Sequence, residues 1–195
     1  MPEPAKAGDR RRRNDWRFAA WGTAAFVLLL PLLAMQITHE VDWDVADFAI
    51  FGAMLVCAGG TYELAARMAG NTAYRAAVGV ALAAAFILVW MNLAIGIIGP
   101  EDNPANLMYG GVLAAGIIGA VMARFQPRGM AYAMVATALA QALVGMVTLI
   151  AGTGFTGPSE PEKLLILTGF FAALWLLSAW LFRRAAQAQS PAGSL

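Results

Sequence analysis

Between Phe48 and Met68 the only charged residues are Glu63 and Arg67, four positions apart with the acid first. On a helix this spacing sets them one turn apart in the order that favours an ion pair. A carboxylate in so apolar a run is costly, so Glu63 is a candidate for handling a proton or substrate, with Tyr62 beside it and the Arg67 pair as the structural alternative. Gln141 is a second candidate, near the middle of an apolar run and about 16 Å from either end of a helix rising 1.5 Å per residue. It needs a partner there, most simply a helix-to-helix hydrogen bond. Asn92, Gln36 and Thr148 lie towards the opposite ends of their runs from Glu63 and together suit the lining of a shallow polar pocket.

His39-Glu40-Val41-Asp42-Trp43-Asp44, followed by Asp47, gathers metal-type donors in one connection. Its oxygens suit Ca²⁺, Mg²⁺ or Mn²⁺, and His39 adds affinity for a transition metal. Helix capping by Asp44 and Asp47 accounts for the same acids, so His39, Glu40, Asp42 and Asp44 stand as weak metal candidates and no metal is expected. Other matches fail on context. Gly152-Thr153-Gly154-Phe155-Thr156-Gly157 spells a dinucleotide fingerprint without a preceding strand. His39-Glu40 lacks the second histidine of a zinc helix, and a single histidine in the chain excludes bis-histidine haem. With no lysine in any apolar run and no catalytic set, an enzyme is not expected, nor is any cofactor.

The elements that carry these groups follow from composition. The chain has 195 residues, 60% hydrophobic and 13% charged, with a mean hydropathy of +0.65. A soluble domain of this size would leave large apolar patches on its surface. Six apolar runs of bilayer length are predicted, at about 18–37, 47–66, 74–98, 104–125, 130–152 and 164–182. Continuous rather than alternating apolarity makes them helices and not barrel strands. The expected fold is all-α, one six-helix transmembrane domain over 17–183, with a basic tail at 1–16 and a second tail at 184–195. Short connections make successive helices antiparallel neighbours.

Charge sets the orientation. Twelve of the thirteen Lys and Arg fall before the first run, in the second and fourth connections or after the last run, with only four of the twelve acids. Lys163 is the one cation among the eight acids of the other connections. The positive-inside rule then makes both termini cytoplasmic. The net charge of +1 thus hides a strongly bipolar molecule and offers no basic excess for nucleic acid. The first run is too long for a signal peptide core and lacks an A-x-A site, so it is expected to remain as a span. Eleven Arg against two Lys, with abundant Ala, suggest a GC-rich bacterial genome and hence a bacterial inner membrane.

Local signals mark helix starts at Asn103-Pro104, at Asp44 with Asp47, and at the capping box Ser159-Glu160-Pro161-Glu162. Pro31 interrupts the backbone bonding of the first run. Gly111, Ala115, Gly119 and Ala123 recur every four residues and are candidates for close helix packing, either inside the bundle or in a homodimer.

The segment Trp90–Tyr109, W-M-N-L-A-I-G-I-I-G-P-E-D-N-P-A-N-L-M-Y, resembles one found in a family of small, uncharacterised polytopic bacterial inner-membrane proteins. The resemblance extends from about Val41 to Gly152 and includes Tyr62-Glu63. It implies a membrane bundle, transfers no activity, and draws attention to Asn92–Asn106. The expected role is accessory or structural, with the bilayer, a second copy or a membrane complex as partner. The alternative is a small-solute or cation transporter using Glu63, Asn92 and Gln141.

Overall fold

A computed structural model describes residues 4–38, 42–68, 70–152, 154–155 and 160–189, with the backbone alone described at 4–17, 19, 20 and 68. Among these residues the chain is all-helical and without strands. In order it forms α1 (Pro4–Ile37), α2 (Val45–Met68), α3 (Thr72–Ala94), a 3-10 turn (Pro104–Leu107), α4 (Met108–Met122), α5 (Pro127–Ala151) and α6 (Glu160–Gln189). Five helical stretches are long and apolar enough to cross a membrane: α2, α3, α4 with its leading 3-10 turn, α5 and α6. Helix α1 carries a shorter apolar stretch, Trp21–Ile37.

Helix ends depart from the apolar runs in both directions. Helices α1 and α6 continue through charged sequence, from Pro4 and to Gln189, because loss of apolarity does not itself break a helix. Pro31 lies inside α1, whose helical assignment is uninterrupted. Helix α3 stops at Ala94, short of the expected residue 98, and the next residues turn through Gly96 at φ +67°. A β-carbon on Gly96 would lie 2.6 Å from the Gly99 carbonyl oxygen, so only glycine fits that turn.

The expected caps form where they are described. Asp44 and Asp47 bond reciprocally: the Asp47 N–H donates to Asp44 Oδ1 at 2.9 Å, and the Asp44 N–H donates to Asp47 Oδ2 at 3.0 Å. This is a capping box with aspartate in the place of glutamate. Asn103 Oδ1 accepts the Ala105 N–H at 3.0 Å, ahead of Pro104 at the first position of the turn. Ser159, the expected cap of α6, lies outside the described residues.

The chain divides into two compact units, residues 1–60 and 61–195. In the first, Gly59 leaves room for the Trp21 ring, which would stand 3.3 Å from an added β-carbon. Trp43 meets Phe48 and Phe51 edge-on, at centroid distances of 5.1 and 5.5 Å.

In the second unit α5 packs on α4 and α6, and α6 packs on α3. Small residues set these approaches. An added β-carbon on Gly116 would stand 3.2 Å from Thr137 Oγ1, and one on Gly119 would stand 2.7 Å from the Ala133 β-carbon. Between α5 and α6, Gly145 faces Thr168. Between α3 and α6, the Ser178 hydroxyl donates to the Ala77 carbonyl at 2.9 Å, and the rings of Tyr74 and Phe182 cross at 5.2 Å. Side-chain bonds join α3 to the α4 segment at both ends: Tyr74 Oη donates to the Phe125 carbonyl at 2.7 Å, and Asn92 Nδ2 to the Asn106 carbonyl at 3.0 Å.

The bundle interior holds large side chains from α3 and α6, such as Leu88, Phe171, Trp175 and Phe182, whereas α5 presents mostly small and polar groups to it. Helix α5 buries Met130, Ala131, Ala133, Met134, Thr137, Ala138, Gln141, Gly145 and Thr148, and exposes Val135, Leu139, Leu143, Met146, Val147 and Ile150. Apart from the two methionines, the inner face of α5 is small or polar, while its branched aliphatic groups face outwards, as expected when lipid is the solvent.

Candidate functional site

The densest polar assembly lies in the α3–α4 connection and centres on Asn106, which is 5% exposed. Helix α3 ends early and leaves its following backbone amides without helical acceptors. Asn106 Oδ1 takes two of them, the N–H groups of Ile97 at 3.1 Å and Ile98 at 2.8 Å. Its Nδ2 donates to the Pro100 carbonyl at 2.9 Å, and its own carbonyl accepts from Asn92. Asn103 caps the 3-10 turn, and its N–H donates to the Pro100 carbonyl at 3.0 Å. A β-carbon on Gly99 would meet the Gly154 carbonyl oxygen at 2.9 Å, so the two connections lie backbone against backbone.

Asn92 is therefore largely a structural donor, although its Oδ1 is buried without a hydrogen-bond partner. Charge and spacing alone do not mark Asn106 as a site residue. The available signal was its amide at the foot of an apolar span, three residues after another asparagine, inside the conspicuous Asn92–Asn106 stretch. Which asparagine would become the hub depended on the path of the turn.

Gln141 lies on the inner face of α5 and is fully buried. Neither its Oε1 nor its Nε2 has a hydrogen-bond partner, so the expected helix-to-helix bond is not formed. Tyr109 Oη, Thr168 Oγ1 and Trp175 Nε1 are also buried without partners. The hydroxyls of Thr137 and Thr148 turn back to their own helix, to the Ala133 and Val144 carbonyls, both at 2.9 Å. Chemically this interior can donate and accept hydrogen bonds. Besides the hydroxyls of Tyr74 and Tyr109 and the indole N–H of Trp175, the buried polar side chains among the described residues are Asn106, Thr137, Gln141, Thr148 and Ser178, and none of these is a carboxylate or a cation.

Glu63 and Arg67 do form the ion pair their spacing predicts, with Nη2 and Oε2 3.2 Å apart. The arginine side chain is 68% exposed and the glutamate side chain 16%, so the pair lies near the end of α2 with its cation outside and its carboxylate largely covered. Arg75 adds a cationic cap to the same helix end, donating through Nε and Nη2 to the Ala66 carbonyl at 3.2 and 2.9 Å. Of the weak metal candidates, Asp44 is engaged in its capping box and Asp42 is exposed; His39 and Glu40 lie outside the described residues. Among the described residues no three His, Cys, Asp or Glu side chains converge as metal donors.

The small-residue series of α4 does not act as one face. Gly119 meets α5 at Ala133, and Ala123 supports the tight α4–α5 turn, where a β-carbon on Gly129 would come within 2.7 Å of its own. Ala115 is half-buried, whereas Gly111 is exposed and has no heavy atom within 4 Å of an added β-carbon. Gly116 supplies the neighbouring close approach instead. Compared with known proteins, the chain matches no family model, no curated protein and no solved structure.

Proposed function

We propose that this protein is a six-span component of a bacterial inner membrane, its helices antiparallel and both termini cytoplasmic. It is not an enzyme. It serves as an accessory or structural element, packing with itself or with a larger membrane complex. The pairings of Gly116 with Thr137 and Gly119 with Ala133 support the antiparallel course of α4 and α5. The charge asymmetry of the connections supports the orientation.

One observation carries the accessory role: the helices bury uncharged groups, from Ala77 and Ala84 to Phe171 and Phe182, while Ile117, Ile118, Leu139, Leu143, Ile166 and Phe170 remain outside. Those faces suit lipid or other spans, and no ionised side chain is buried among the described residues to drive transport chemistry. Glu63, the carboxylate a transporter would need, is held by Arg67. A second reading has one specific observation in its favour. Gln141 is buried with both amide atoms unpartnered, as a group that binds a small polar solute in transit would be.

The two readings separate experimentally. Glu63→Gln and Asn92→Leu variants are purified in mild detergent and reconstituted into proteoliposomes. An accessory protein shows altered assembly or altered partner co-purification and no solute flux with any variant. Flux by the parent protein that disappears in the variants while their fold is retained would sink the accessory reading.

A further inference from the structure

Where α5 begins and α6 ends, a cleft of ≈ 480 Å³ is lined by Arg128 and Arg183, with Gln126, Gln187 and Gln189 adding amide groups. A second cleft of ≈ 370 Å³ shares Gln126, Pro127 and Gln189 with the first and adds Arg124. None of these three arginines belongs to an ion pair among the described residues, whose pairs are Arg67 with Glu63 and Lys163 with Glu160. The positive end of the α5 dipole opens at the same place. Pro127 occupies its first turn, and Gln126 makes no side-chain capping bond there.

Two guanidiniums from different helices, side-chain amides in the same lining and a helix N-terminus are the groups that suit a phosphate oxyanion. Guanidinium forks match phosphate bidentately, and basic clefts beside membrane spans take lipid headgroups. The walls indicate which phosphate. Below Arg128 the lining continues through Ala131, Tyr132 and Val135, and Leu139 and Leu143 carry the exposed apolar face of α5 onwards. A free anion has no use for such a track, whereas acyl chains follow it.

We propose that this cleft binds a phosphate-bearing anion and that its resident is the headgroup of an anionic phospholipid, with acyl chains along the outer face of α5. The inference rests on the chain being embedded in a bilayer, but not on its accessory role. Arg184 supplies an internal control. Its guanidinium carbon stands 4.0 Å from the centroid of the Trp180 ring, and it does not line either cleft.

The test titrates the full chain, in neutral detergent, with phosphatidylglycerol, phosphatidylcholine or inorganic phosphate, reading bound species by native mass spectrometry. Phosphatidylglycerol binds and phosphatidylcholine does not. Arg128→Gln and Arg183→Gln each weaken binding about tenfold, the effect of one charge-assisted contact, and Arg184→Gln changes it less than about twofold. Circular dichroism checks that each variant keeps its helical content. Equal binding by the parent and both cleft variants, or an equal loss in Arg184→Gln, overturns the site in favour of diffuse charge attraction. Displacement of phosphatidylglycerol by millimolar inorganic phosphate overturns the lipid as resident and assigns the cleft to a free anion. Carbonate extraction keeps the two levels apart: a chain that washes off membranes defeats the embedding itself, and one that stays while lipid binding ignores the arginines defeats only the cleft.

Discussion

Asn92 donates its side-chain amide to the main-chain carbonyl of Asn106 across 3.0 Å, joining the last turn of α3 to the 3-10 turn that leads into α4. Asn106 in turn accepts from Ile97 and Ile98, so a single asparagine organises the connection that α3 leaves by stopping at Ala94.

Removal of that hub exposes its weight. Asn106→Leu leaves two buried backbone N–H groups without their partner and removes one of the two donors to the Pro100 carbonyl, at a cost of about 2–4 kcal/mol. Asn92→Leu deletes one bond but also one unpartnered oxygen, at a cost of about 1 kcal/mol or less. Unfolding in mixed detergent micelles, followed by tryptophan fluorescence, measures both; a larger loss from Asn92→Leu would overturn this ranking.

Gln141 responds in the opposite sense. Exchange for leucine removes two buried, unpartnered polar atoms at nearly constant volume, so Gln141→Leu unfolds within about 1 kcal/mol of the parent or later. A loss above about 2 kcal/mol would mean that the amide is satisfied by a bound molecule in the native membrane protein. The same unfolding assay then supports the solute-binding reading.

The glycines of α4 separate internal packing from self-association. Gly119→Ala drives a β-carbon to 2.7 Å from that of Ala133 and destabilises the fold by about 1–3 kcal/mol. A β-carbon at exposed Gly111 meets no heavy atom of the described residues within 4 Å, so Gly111→Leu unfolds within about 0.5 kcal/mol of the parent. If α4 pairs with a second copy through this face, Gly111→Leu lowers the dimer fraction in crosslinking or sedimentation experiments without touching stability.

Glu63→Gln breaks an ion pair whose arginine is largely solvent-exposed. Stability changes by no more than about 0.5 kcal/mol, and the difference shrinks further in high salt. Unfolding at two ionic strengths checks this. A salt-independent loss of several kcal/mol would indicate a desolvated carboxylate with a role beyond Arg67.

Much of the outline depends on information local in the chain. Apolar runs fix where the backbone must satisfy itself, so the expected 47–66 and 130–152 fall close to α2 (Val45–Met68) and α5 (Pro127–Ala151), while α6 outruns its apolar stretch at both ends. Asp44 with Asp47, Asn103 before Pro104, and Glu63 with Arg67 are contacts across two to four residues, and they form as their spacing predicts. Helix α3 shows the limit. Ile95, Ile97 and Ile98 continue its apolar run, yet the chain turns at Gly96 because Asn106 can take the amides released there.

The sequence by itself determined the helical class, the long apolar elements and the uneven distribution of charge, because solvent preference and capping act over a few residues. Only the tertiary structure decided which face of each helix turns inwards. In a span apolar on every side, lipid and protein interior attract the same side chains, so periodicity carries little direction. The choice falls to shape and to rare polar atoms: Gly116 and Gly119 admit α5, Ser178 reaches the Ala77 carbonyl, and Asn106 gathers the connection. The same packing brings Arg128 and Arg183, far apart in the chain, to one cleft.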